Sequence, residues 1–158
     1  RVPFQFRDLV CKHLKSGSFV ESSAGVPLTD LDGNPLYALA ASHAHGDSVL
    51  RGAEELRAKE SDRIEATADA LRALGQHVRA TDDGFRIRGV PARPRGGRIE
   101  SRGDHRIAML GAVAALDSQH GVEIGGADCV AVSFPGFFEI VERLRRSAIE
   151  TDRDHRPA

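Results

Sequence analysis

Tryptophan is absent from this 158-residue chain, tyrosine occurs once, and aromatic residues make up 5% of it. A surface of aromatic platforms for stacking bases is therefore not to be expected. No sign of charge dominates either: 22 basic residues face 23 acidic ones, for a net charge of −1. That balance argues against general nucleic-acid affinity, which calls for a clear positive excess. Cysteine is nearly missing. Cys11 and Cys129 make no metal-ligand spacing, and with no signal peptide in view they read as free thiols of a cytoplasmic protein. No apolar run approaches the roughly 18 residues that a membrane span needs. His43 and His45 lie two apart, on different faces of a helix, so they are not expected to hold a metal. Lysine is scarce as well. Of the 22 basic residues only Lys12, Lys15 and Lys59 are lysines. Lys59 is either there by chance or marks a position that wants a compact ammonium head. The chain starts with Arg1 rather than Met, which reads as processing or as a fragment.

Against this sparse background one segment is dense. Arg57-Ala58-Lys59-Glu60-Ser61-Asp62-Arg63-Ile64 gathers three cations and two carboxylates just where an amphipathic helix begins. Cations at a helix start are normally disfavoured, because that end already carries partial positive charge. They make sense if an anion is bound among the free backbone N–H groups. A glutamate beside such an anion is placed to move a proton. Taken alone, the same residues also suit plain structural work. Glu60, Ser61 and Asp62 can cap the helix, Arg63 and Arg106 can be solvated surface charges, and Asp32 in Asp-Gly-Asn-Pro can be a turn residue.

The pattern along the chain predicts α/β architecture of the α+β type, with helices on small mixed sheets. Residues 1–29 give no clear element. Helices are expected over Pro35–Ala44, Ser61–Leu74, Asp104–Asp117 and Pro135–Arg146, the last facing inward with Phe138, Val141 and Leu144. A short strand is expected within Asp47–Ala53. A hairpin should pair His77–Ala80 with Phe85–Arg88 across Asp82-Asp83-Gly84, and Arg98–Ser101 and Gly121–Ile124 should be strands. The Arg93-Pro-Arg-Gly-Gly-Arg98 loop reads as a solvated connection rather than a phosphate contact. Residues 147–158 are polar and read as a disordered tail. Asp62-Arg63-Ile64 and Asp104-His105-Arg106-Ile107 echo each other, each placing an arginine in the first turn of a helix. Two such starts can converge on one anionic ligand.

Three motifs carry a family resemblance. Leu56 to Ile64, Gly103-Asp-His-Arg-Ile-Ala-Met109 and Ser133-Phe-Pro-Gly-Phe-Phe138 resemble, in order and spacing, hallmarks of the 5-enolpyruvylshikimate-3-phosphate synthase family. The likeness runs from about Asp32 to Leu144. It implies a fold of repeated βαβαββ units, with a C-terminal domain portion over residues 30–146. It also implies transfer of enolpyruvate from phosphoenolpyruvate to the 5-hydroxyl of shikimate 3-phosphate, with release of phosphate. By the same resemblance, Glu60 transfers the proton and Asp32 holds and deprotonates the hydroxyl. Lys59 contacts substrate and reacting centre, Arg63 and Arg106 clamp phosphoenolpyruvate, His105 lines the pocket and Asp104 orients its neighbours. Val132 stands where some members have a lysine that contacts phosphoenolpyruvate. The family uses no metal or organic cofactor. The implied partners are the two substrates and a missing N-terminal domain, with no nucleic acid and no membrane, in a cytoplasmic enzyme that is a monomer at full length. The alternative is a non-catalytic fragment that folds and binds anions weakly. The related transferase acting on UDP-N-acetylglucosamine ranks below both, because it lacks the Lys-Glu-Ser-Asp-Arg signature.

Overall fold

Proline and glycine punctuate the chain where the elements change. The computed structural model describes residues 35–90 and 92–154, with side chains as far as residue 146. Asp32 and the segment 1–29 lie outside the described residues. Pro35, with φ −56° already suited to a helix, caps α1 (Leu36–Ser42). The strand β1 (Gly46–Leu50) follows, and a 3-10 turn over Glu54–Ala58 leads into α2 (Arg63–Ala73). Ile64, Ala68 and Leu71 and the capping Leu74 are fully buried, as one stripe of a 3.6-residue repeat requires. Gly75 ends the helix at φ +85°, a left-handed conformation that glycine adopts without a Cβ penalty.

The strands β2 (His77–Thr81) and β3 (Gly84–Gly89) form the expected hairpin. Thr81 and Gly84 are register partners, so Asp82 and Asp83 alone make the turn and Gly84 belongs to the strand. β1 pairs with the other edge of β3, giving an antiparallel sheet in the order β1-β3-β2. Val78, Phe85 and Ile87 enter the core, while Arg86 and Arg88 stay wet. A second, parallel pair joins β4 (Gly97–Glu100) to β5 (Val122–Gly125). The helix α3 (His105–Ala115) connects its two strands. Gly111 is where α3 crosses the pair. A Cβ there would run into Ile99 and Ile124, so the glycine sets how closely helix and strands approach.

One core cluster joins the three helices to both sheets through Leu39, Ile64, Leu71, Leu74, Ile87, Ile99, Ile107 and Leu110. Burying one such side chain contributes about 1.5–3 kcal/mol. A smaller cluster of Ala108, Ala112, Val130 and Phe137 holds α4 (Val130–Ser133) and the start of α5 (Phe137–Asp154).

The last helix departs from expectation in two ways. Phe137, at 8% exposure, enters the core, whereas Phe138 and Leu144 are 36% and 58% exposed. Phe137 and Val141 are one helical turn apart and share the stripe against α3, while Phe138 lies about 100° around the axis. The helix also runs to Asp154 instead of stopping at Arg146, through a stretch whose polar composition reads as disordered. Glycine and proline are absent between residues 137 and 156, so nothing local ends it. Glu142 meets Arg145 and Arg146 at the i+3 and i+4 positions, which adds support on the exposed side. Among the described residues no helix is long and apolar enough to cross a membrane.

Candidate active site

Two aspartates begin the helices that carry the motif residues. Asp62 accepts a hydrogen bond from the Glu65 N–H at 3.1 Å, and Asp104 accepts one from the Arg106 N–H at 2.9 Å. Each satisfies a backbone donor that a helix start would otherwise leave unpaired. The turn that delivers Asp104 to its place is tight. Arg102 and Gly103 have φ +55° and +75°, and the Ser101 hydroxyl holds the bend by donating to the Gly126 carbonyl at 2.9 Å and accepting from the Gly103 N–H at 3.2 Å.

Asp104 does more than cap. Its carboxylate is fully buried. It receives the Ser61 hydroxyl at 3.0 Å, Arg63 Nε at 2.8 Å and Arg63 Nη2 at 3.3 Å, besides the Arg106 N–H. Arg63, 2% exposed, also donates through Nη2 to Glu60. One buried ion pair therefore ties the start of α2 to the start of α3, and the two helix starts converge. Arg63 is not a solvated surface charge. Breaking such a pair strands a charge in the interior, which costs several kcal/mol. Burial pushes the Asp104 carboxyl up, but the Arg63 hydrogen bond, the Arg106 N–H, the Arg63 charge and the Ser61 hydroxyl outweigh it. The group titrates below its ordinary value and is an anion at neutral pH.

Arg57 anchors the same segment from the other side. It pairs with Asp62 at 2.7 Å and donates to the Asp82 and Thr81 carbonyls at 2.8 and 2.6 Å. Lys59 and Glu60 thus sit on a span fastened at both ends. Lys59 is exposed, Glu60 is 53% exposed with its carboxylate against Arg63, and His105 and Arg106 are half-buried in the first turn of α3. Of the residues expected at the site, the structure joins Glu60, Arg63 and the Arg106 backbone through Asp104. Lys59 and His105 are their chain neighbours. Val132 is 91% exposed on α4.

Some residues do work that local sequence did not reveal. Ser61 reads as a cap, yet its hydroxyl reaches Asp104. Arg57 reads as part of the cationic cluster, yet it binds a turn 24 and 25 residues away. No local pattern announces either. Arg93 is also structural. It donates to the Asp117 and Ser118 carbonyls at 2.9 and 3.1 Å, where the end of α3 leaves acceptors open. Arg98 is occupied by Glu100 and Glu123, so the loop between them serves as a connection. Among the described residues no group of His, Cys, Asp and Glu side chains is arranged to hold a metal. The arrangement has a part-exposed carboxylate held by a fixed guanidinium, an ammonium group next to it in the chain, and a helix start at hand. Such a set suits binding an anion and moving a proton beside it.

Comparison with known proteins gives one consistent result. A family model described as EPSP synthase (3-phosphoshikimate 1-carboxyvinyltransferase) matches residues 28–141. A 3-phosphoshikimate 1-carboxyvinyltransferase from Thermotoga sp. (strain RQ2) is 46% identical over 119 residues, covering 75% of this chain and 28% of that protein. The protein of the same name from Methylococcus capsulatus is 51% identical over 119 residues, covering 75% and 26%. Among solved structures, the EPSP synthase from Acinetobacter baumannii superposes with a TM-score of 0.65 at 43% identity, covering 69% of this chain and 26% of that one. The chain spans little more than a quarter of the length of these relatives. With a model that matches most of its residues and a shared α/β fold, the chain belongs to the EPSP synthase family.

Proposed function

We propose that this chain supplies the phosphoenolpyruvate-facing half of an enolpyruvyl transferase cleft, with shikimate 3-phosphate as acceptor. The observation that carries the reading is the buried Asp104 carboxylate. It gathers Ser61, Arg63 and the Arg106 N–H at one place and leaves Glu60 on the exposed side of Arg63.

In this reading the acceptor's 5-hydroxyl attacks C2 of phosphoenolpyruvate and loses its proton to Asp32. Glu60 delivers a proton to the methylene carbon, giving a tetrahedral adduct. In the second step phosphate leaves from C2, and the methyl group returns a proton to Glu60, restoring the double bond. Lys59, Arg63 and Arg106 offset the phosphate and carboxylate charges, with His105 lining the pocket. Arg63 can serve the substrate by exchanging its contact with Glu60 for one with the substrate's carboxylate, while Asp104 keeps the guanidinium in place. That exchange also frees Glu60 for proton transfer. The reading includes a metal-free, cytoplasmic enzyme that is a monomer at full length, and it needs an N-terminal domain to complete the cleft.

A second reading, a non-catalytic fragment that folds and binds anions weakly without turnover, draws on the chain's spanning 28% of a relative. The experiment that separates the two is phosphate release from phosphoenolpyruvate and shikimate 3-phosphate, with and without a separately expressed N-terminal domain of a full-length relative. The proposal expects release only with the added domain, and its loss in Glu60→Gln with phosphoenolpyruvate binding retained. No release from a folded chain in either case would support the fragment reading and sink the proposal.

A further inference from the structure

Among the described residues, the outer face of the antiparallel sheet carries positive charge that no carboxylate pairs with. With Phe85 and Ile87 turned inward, β3 presents Arg86 and Arg88 to solvent. The outward residues of β2 are His77 and Arg79, and those of β1 are Asp47 and Val49. Register sets Arg86 between Val49 and Arg79, and Arg88 between Asp47 and His77. Two arginines, Arg79 and Arg86, therefore stand directly opposite one another on one face. Like charges in that position destabilise an antiparallel pair.

Many of the chain's other described arginines have a carboxylate partner, although exposed Arg51 and Arg95 do not. Arg57 has Asp62, Arg72 and Arg102 share Asp69, Arg98 has Glu100 and Glu123, and Arg145 and Arg146 share Glu142. Among the described residues Arg79, Arg86 and Arg88 have no such carboxylate, even though Asp47 is opposite Arg88 in register. Together with His77, Asp47 and Val49 they line an open depression of about 380 Å³.

We propose that this face binds an extended acidic peptide segment of a partner protein. Alternate residues of an extended chain are about 6.6 Å apart on one side. Carboxylates at alternate positions of such a segment fall in step with Arg86 and Arg88 along β3. Arg79, across from Arg86, brings a second guanidinium to the first of them, and planar guanidinium forks suit carboxylates. Val49, 48% exposed, gives the segment an apolar floor. Single-stranded nucleic acid has anions to offer as well, but its binding draws on aromatic platforms. The one aromatic residue of these strands, Phe85, is buried in the core.

The test uses the full 158-residue chain and a fluorescently labelled peptide of alternating Glu and Ser, read by anisotropy. Saturable binding is expected, weakening as salt rises. In Arg79→Ser with Arg86→Ser it should fall about tenfold or more, as loss of charge-assisted hydrogen bonds implies. Arg145→Ser on α5 should leave it unchanged. The thermal midpoint of the double variant should hold or rise, because a like-charge pair is relieved. If instead the midpoint falls, Arg88→Ser, outside the opposed pair, must reproduce the lost affinity. No binding, equal binding by the variants, or tighter binding of a labelled oligothymidylate would overturn the proposal.

Discussion

Asp104 and Glu142 are both held by arginine, and they behave differently. Asp104 is fully buried, and Arg63 beside it is nearly so. Glu142 lies on the open side of α5 between Arg145 and Arg146, at 2.8 and 3.1 Å. Hydrogen bonds from Arg145 and Arg146 pull the Glu142 carboxyl down to about 2, yet water screens the pair and can replace either partner. For Asp104, burial opposes ionisation and its donors together outweigh it. The number of arginines around an acid therefore says little about its importance. Burial keeps water from replacing either partner, which makes each member of the inner pair necessary to the other.

Asp104→Ala is expected to have the largest effect. It should cost about 3–5 kcal/mol, since Arg63 would remain buried without its counter-charge. Chemical denaturation measures it directly, and a loss near that of an ordinary surface substitution would show that Arg63 escapes to solvent. A sharper version replaces both partners, Arg63→Met with Asp104→Leu. Most of that stability should return, because a well-packed apolar pair can stand in for a buried ion pair. The phosphoenolpyruvate binding proposed for this chain should not return, which isothermal titration would reveal.

The pH dependence has a definite sign. The folded Asp104 titrates below its ordinary value of 3.8. Its contribution is thus complete above that pH and is lost as the pH falls through the lower folded value. An acid titration of unfolding free energy should show this loss in the parent chain and not in Asp104→Asn.

Smaller effects complete the series. Asp62→Ala removes a cap and should cost about 1 kcal/mol, visible as a lower denaturation midpoint with an unchanged slope. Glu142→Gln, on the exposed helix, should leave the midpoint where it is. A clear drop there would place the outer ion pairs alongside the inner one and undo the contrast.

Much of this was legible in the sequence, for local reasons. Ile64, Ala68, Leu71 and Leu74 repeat with helical spacing, Phe85 and Ile87 alternate with arginines, and Gly75 stands just past a helix. Each of these signals is written within a few residues of its effect. The motif arginines were legible as candidates for an anion site, but the burial of Arg63 was not. Its counter-charge lies 41 residues away, and pairing at that range depends on how α2 and α3 pack. The choice of Phe137 over Phe138 was hidden for a similar reason. Both are apolar, and only the position of α3 decides which one turns inward. The extension of α5 past Arg146 was obscured by polarity, which marks solvent exposure and not the end of a helix.

Arg57 has a further consequence. Its guanidinium grips the Thr81 and Asp82 carbonyls and so makes the β2–β3 turn part of the support for Lys59 and Glu60. In hydrogen exchange, the amides of residues 54–60 should open together with the tip of that hairpin, and apart from the slower core of α2. The hinge for any rearrangement of the Glu60 segment would then be found in the hairpin turn, about 25 residues along the chain.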